Sequence, residues 1–190
     1  MSKILVDTID TRSGTSNITI GSSNASQITL KSGATLTNFP DNTPAFHATN
    51  NADQTFSLDT DTKVTFQVEV FDTDNAFASN KFTVPSGKGG KYVLFIDGAF
   101  QSNANYREVW IKIYKNGSQG DQGNQIEQRL RLTSNYFNSG SSQRLSASGT
   151  IDLSAGDYIE VYGYINGASG TPQFNNGTMN FSGYKLIWAY

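Results

Sequence analysis

A chain of 190 residues with a net charge of −2, one histidine and no cysteine excludes several classes at once. It has no basic stripe for nucleic acid, no disulfide framework, no thiolate site, and no apolar run near the roughly 20 residues of a membrane-spanning helix. Its 12 Phe, 9 Tyr and 18 Gly favour pleated sheets joined by tight turns.

Residues 1–43 read as a separate segment, poor in aromatics and rich in Ser, Thr, Asn and Gly. The stretch Ile4-Leu5-Val6 is too short for the apolar region of a secretory signal, so none is expected. Short alternating pieces fall at 18–20, 28–30 and 34–36, each set off by turn residues. Their uneven spacing proves no repeat. It suits the short strands of a β-solenoid or an intertwined fibre stem, with an extended anchoring arm or a disordered tail as the other readings. Phe39-Pro40-Asp41-Asn42-Thr43-Pro44 would stop any ladder, because two prolines withhold donors, and a second domain is expected over 44–190.

In that second part strand signals recur at 63–68, 77–84, 91–100, 108–115, 126–132, 144–153, 158–165 and 178–188. The segment 108–115 sets Val109, Ile111 and Ile113 against Trp110, Lys112 and Tyr114, then ends in Lys115-Asn116-Gly117, a hairpin turn. No stripe with helical spacing appears. Roughly eight to ten short strands with regular turns predict an all-β sandwich or jelly roll.

Five motifs in order sharpen this. They are Pro44-Ala45-Phe46-His47-Ala48, then Phe82-Thr83-Val84-Pro85-Ser86-Gly87 leading to Tyr92-Val93-Leu94-Phe95, then Tyr114-Lys115-Asn116-Gly117. Leu153-Ser154-Ala155-Gly156-Asp157-Tyr158-Ile159 and Phe181-Ser182-Gly183-Tyr184-Lys185-Leu186 complete the set. This part of the chain resembles the globular head of the complement C-one-q family, which shares its fold with tumour necrosis factor. The resemblance implies a ten-strand jelly roll that forms homotrimers. It implies structural core or trimer roles for Phe46, Phe82, Tyr92, Phe95, Gly156, Phe181, Gly183 and Tyr184. Segments such as Ile4-Leu5-Val6-Asp7-Thr8-Ile9 and Ser16-Asn17-Ile18-Thr19-Ile20-Gly21 resemble stems of structural proteins in tailed bacteriophages.

Catalytic chemistry finds no foothold. His47 lies in a strand without a Cys partner or an evident Asp neighbour, and no nucleophile elbow, P-loop or zinc-type His pair occurs. Acidic residues gather at Asp53, Asp59, Asp61, Asp72 and Asp74. Asp72-Thr73-Asp74-Asn75 starts like a calcium loop but lacks its glycine and distal glutamate, so no cofactor is expected and calcium is the one alternative. Glu108, Glu127 and Glu160 are scattered, and nothing singles out a glycosidase pair. The loops 119–125, 135–143 and 166–177 hold Tyr136, Phe137 and Phe174 among amides, the mixture found in recognition loops.

The expectation is a non-enzymatic homotrimer on a bacteriophage virion surface, assembled in the host cytoplasm. Residues 1–43 would hold other virion proteins, and the head would meet a host-surface glycan or protein, as a tail-fibre tip does. Capsid decoration is the first alternative, a non-viral soluble binding module the second, and a polysaccharide depolymerase the third. No nucleic acid and no membrane insertion are expected.

Overall fold

The computed structural model describes residue 32 and residues 42–119, 131–167 and 169–187. The chain divides into two units, Met1–Phe39 and Pro40–Tyr190. The expected stem strands at 18–20, 28–30 and 34–36, and most of the expected strand at 126–132, lie outside the described residues.

The described part of the second unit is all β, with fourteen strands in two seven-stranded sheets. In chain order they are β1 (Ala45–Thr49), β2 (Gln54–Thr55), β3 (Thr62–Lys63), β4 (Val68–Asp72), β5 (Phe77–Ala78), β6 (Lys81–Thr83) and β7 (Gly90–Ser102). Then follow β8 (Tyr106–Lys115), β9 (Ser118–Gln119), β10 (Arg131–Phe137), β11 (Gln143–Leu153), β12 (Tyr158–Gly167), β13 (Pro172–Phe174) and β14 (Asn180–Lys185). Sheet A runs β2-β13-β7-β14-β1-β4, with β11 along the other side of β7. Sheet B runs β10-β8-β12-β6-β5, with β3 on β12 and β9 on β8. The expected jelly-roll sandwich is the fold observed. The described residues hold fourteen strands where ten are expected, six of them (β2, β3, β5, β6, β9 and β13) only two or three residues long.

Local chemistry explains the framework. Along β8 the residues Val109, Ile111 and Ile113 are buried, and along β12 Ile159, Val161 and Ile165 are. Their even-numbered neighbours therefore face out, as a period of two requires. Asn116 and Gly117 both take positive φ, 55° and 75°, and return β8 to β9. The expected strand at 77–84 is instead a tight hairpin, β5 and β6. Ser79 and Asn80 take φ of 53° and 59°, and Asn80 Oδ1 accepts from Phe66 N at 2.8 Å. The expected strand at 63–68 is likewise split between β3 and β4, which belong to different sheets.

Aromatic rings fill the space between the sheets. Phe46 stacks on Phe82 with centroids 4.4 Å apart and meets Phe181 edge-on at 4.8 Å. A second group joins Phe174 to Phe56 at 4.4 Å and to Phe100 at 5.2 Å. The last strand, β14, lies between β1 and β7, deep in sheet A. There Gly183 permits close approach: a Cβ would stand 2.8 Å from Val93 O and from Leu94 Cδ2.

Candidate functional site

Two outer faces carry the side chains available for recognition or assembly. On sheet A the strand register draws three rows. The middle row crosses Ser148, Phe95, Ser182, His47 and Phe71. One flanking row holds Ser146, Asp97, Asn180, Thr49 and Val68, and the other holds Thr150, Val93, Tyr184 and Ala45.

Among these mostly polar rows two large rings stand open to solvent. Phe71 is 48% exposed and Phe95 43%, and Val70, next to Phe71 on β4, is open as well. Tyr184 stacks on Phe95 at 6.2 Å, and Phe71 meets His47 edge-on at 6.1 Å. Beside Phe95 lies a hollow of about 440 Å³ lined by Phe95, Ile96, Asp97, Ser146, Ala147 and Ser148. The small residues of β11 leave that space. A line of polar groups borders the aromatic one. Arg144 Nη1 lies 3.6 Å from Asp97 Oδ2, Asn180 Nδ2 donates to the same oxygen at 3.2 Å, and Asn180 Oδ1 lies 3.4 Å from His47 Nε2.

The outer face of sheet B is aromatic as well, but its rings are engaged with one another. Tyr114 stacks on Tyr162 at 3.9 Å. Lys112 Nζ sits 5.1 Å from the Trp110 ring centre and 4.7 Å from that of Tyr164, so the cation occupies their faces. Lys112 is 8% exposed and pairs with Asp61 at 2.5 Å, and Asp61 also accepts from the Tyr114 hydroxyl. Asp59 accepts from Asn166 at 2.7 Å and from Tyr164 at 3.1 Å. Burial pushes the Tyr162 and Tyr164 phenols above their ordinary range. This network ties the segment before β3 to β8 and β12.

The residues expected to matter fall into three groups. Phe46, Phe82, Tyr92 and Phe181 are fully buried core residues. Burial also drives the Tyr92 phenol up, and its hydroxyl donates to Lys88 O at 2.6 Å. Gly156 takes a φ of 87° in the turn before β12, and Asp157 closes that turn. Its carboxylate accepts from Asn116 Nδ2, from Ser154 N and from Lys115, each at 2.8 Å, and these bonds hold its pKa down to about 2. Phe95 and Tyr184 are not core residues. They lie on the outer face of sheet A, where only the assembly half of their expected role remains.

The expected recognition residues need a correction. Phe174 is fully buried, because β13 pairs with β7 and turns its ring beneath Gly163 and Phe100. Phe137 is half-buried and stacks on Tyr106 at 4.9 Å, and burial raises the Tyr106 phenol to about 12. Tyr136 belongs to β10, and its side chain lies outside the described residues.

The acidic residues mostly cap turns. Asp72 accepts from Phe77 N at 2.6 Å and from Asp74 N at 3.2 Å, while Asp74 accepts from Thr73 at 2.6 Å. Asp53 accepts from Asn176 N at 2.7 Å. Glu160 pairs with Lys63 at 2.7 Å and lies opposite Tyr114, six residues along β8 from Glu108. At about 3.3 Å per residue that is roughly 20 Å, too far for a glycosidase pair, which needs about 5–9.5 Å. Glu127 lies outside the described residues.

A family model described as the PapG chaperone-binding domain matches residues 45–154. The chain belongs to that family. The matched region ends in the turn before β12, so β12, β13 and β14 lie beyond it. No curated protein matches the chain. Among solved structures it is similar to the globular domain of the zebrafish complement 1qA protein, at 15% identity and a TM-score of 0.47. That match covers 77% of this chain and 99% of that one. It is also similar to murine APRIL at pH 8.0, at 17% identity and a TM-score of 0.48, over 75% of this chain and 98% of that one. The jelly roll itself is read from the strand pairings described above.

Sequence reasoning missed Val70, Phe71 and Ile187 as exposed apolar residues, and it missed the aromatic network of sheet B. For the network a signal existed. The alternation of Tyr158, Glu160, Tyr162 and Tyr164 against Ile159, Val161 and Ile165 already places the tyrosines on one outer face.

Proposed function

We propose that the chain is a non-enzymatic display module that assembles as a homotrimer through the outer face of sheet A. The observation that carries this is the outward row in which Phe95 and Phe71 stand exposed and His47 half-buried, with a hollow along β11 beside Phe95. A projecting ring and a hollow are two different surfaces, and a head-to-tail contact that seats the ring of one copy in the hollow of the next closes into a ring of copies when the rotation permits. The motif resemblance to the complement head supplies the number three. Apolar patches of this kind on a soluble surface mark interaction sites.

Residues 1–43 would then anchor the module, and loops of the second unit would meet the target. Their stem-like segments support placement on a bacteriophage virion, as a tail-fibre tip contacting a host-surface glycan or protein or as a capsid decoration. Sedimentation of the full chain tests the assembly. The wild type should have three times the chain mass, and Phe71→Asp with Phe95→Asp should be monomeric with an unchanged far-ultraviolet spectrum. A monomeric wild type, or a double variant that stays trimeric, refutes the proposal.

A second reading follows from the family. A chaperone that lends a strand needs an open edge, and β4 ends sheet A with Val70 53% exposed. Under this reading a peptide strand would add beside β4 and protect its amides from exchange.

A further inference from the structure

The single histidine stands in the same outward row as the exposed rings of Phe95 and Phe71. Its register partners are Ser182 on one side and Phe71 on the other, with Phe95 beyond Ser182. The ring lies edge-on to Phe71, and among the described residues its one hydrogen-bond contact is Asn180 Oδ1 at 3.4 Å. That distance is long for a hydrogen bond, and an amide oxygen brings no charge. We propose that His47 is a proton-operated release for the assembly face. This rests on the reading that copies meet through the outer face of sheet A.

The physical argument is short. A neutral imidazole can be covered by apolar surface while keeping one polar contact. An imidazolium covered in the same way would be a buried charge without a carboxylate partner, which is costly. Imidazole is the side chain whose ordinary titration falls between about pH 5 and 8. Protonation therefore favours the state in which His47 stays wet, the separated chains.

The other charged and titratable groups on the strands around it are Glu69 and Asp72 on β4, and Tyr184 and Lys185 on β14. Asp97 on β7 and Arg144 on β11 lie beyond Asn180. Side chains of these types do not ordinarily change charge between about pH 5.5 and about 7.5. Asp97 is itself occupied by Asn180 and Arg144, so it does not neutralise an imidazolium on His47.

The test is sedimentation equilibrium of the full chain at about pH 7.5 and about pH 5.5, in buffers matched for ionic strength. The variants are His47→Gln and His47→Asn, with Phe71→Asp plus Phe95→Asp as the dissociated reference. The wild type should be trimeric at the higher pH, with association at least about tenfold weaker at the lower one, and both histidine variants should be equally associated at both. A wild type equally trimeric at both pH values overturns the inference and leaves the assembly reading standing. Variants that dissociate at low pH like the wild type place the sensor elsewhere and also overturn it. If both variants are monomeric at about pH 7.5, His47 is an essential contact rather than a release. A wild type monomeric at the higher pH, or a trimeric reference, overturns the assembly reading itself.

Discussion

Replacing Gly163 by alanine should unsettle the join between the two sheets. Gly163 is an inward residue of β12, and a Cβ built there would stand 2.1 Å from Phe174 Cε1 and 2.4 Å from Phe174 Cζ. Phe100 Cε1 would be 3.0 Å away. Ordinary contact needs about 3.5 Å or more, so the Phe174 ring must retreat by over an ångström. It has no room to do so, since Phe56 stacks on it at 4.4 Å and Phe100 meets its edge at 5.2 Å. Overpacking of a close-packed core costs about 1–3 kcal/mol, and three rigid rings argue for the upper end. Alanine returns about 0.4–1 kcal/mol by restricting the unfolded chain. The net loss is about 2 kcal/mol, which for a chain of this size lowers Tm by roughly 4–8 °C. Thermal melts followed by circular dichroism, at one fixed protein concentration because assembly would shift Tm, measure this directly. Adding Phe174→Leu should recover about 1 kcal/mol relative to the sum of the single effects. A melt within about 1 °C of wild type, or strict additivity in the double variant, would refute the reasoning.

Three further outcomes are expected. Asn50 is 2% exposed, accepts from Thr178 N and Met179 N and donates to Ala52 O and Asn175 O, so Asn50→Ala should cost about 3 kcal/mol in urea unfolding. A loss under about 1 kcal/mol would mean that water replaces the amide. Lys112→Met alone should destabilise more than Lys112→Met with Asp61→Asn, because the single change strands a carboxylate that a pair had neutralised; equal or additive losses would count against that account. The Asp157 carboxylate, held near pH 2 chiefly by Asn116 and then Lys115, stabilises the fold above its unfolded titration near pH 3.9, and that contribution is lost as pH falls through about 2. The stability gap between wild type and Asp157→Asn should therefore be constant above about pH 5 and close toward pH 2; a gap that widens on acidification would reverse the sign argued here.

Much of the framework was legible because it is local. The alternation over 108–115 and 158–165 placed β8 and β12 and their buried faces, and Asn116-Gly117 announced its turn through its tolerance of positive φ. Gly156 was legible for the same reason. The sequence over 77–84 reads as one strand, since Ser79-Asn80 is a weaker turn signal than Asn-Gly, whereas the chain pairs β5 with β6 there. Both take positive φ in the turn, where Asn80 is tied to Phe66 N.

The candidate site was less legible. Residues 91–100 are apolar nearly throughout, so periodicity cannot say which ring faces inward. Pairing of β7 with β11 and β14 decides it, burying Tyr92, Leu94 and Ile96 and turning Phe95 out. Phe174 is the converse case. A lone ring among amides reads as exposed, yet a three-residue strand, β13, docks on β7 and carries it into the core. Composition and alternation by themselves determined an all-β sandwich with a Phe-rich interior, because a strand's two faces are written every second residue. Which apolar rings stay on the surface, and that the only histidine stands among them, was decided by long-range register, since neighbours such as His47, Phe71 and Phe95 meet across strands far apart in the chain.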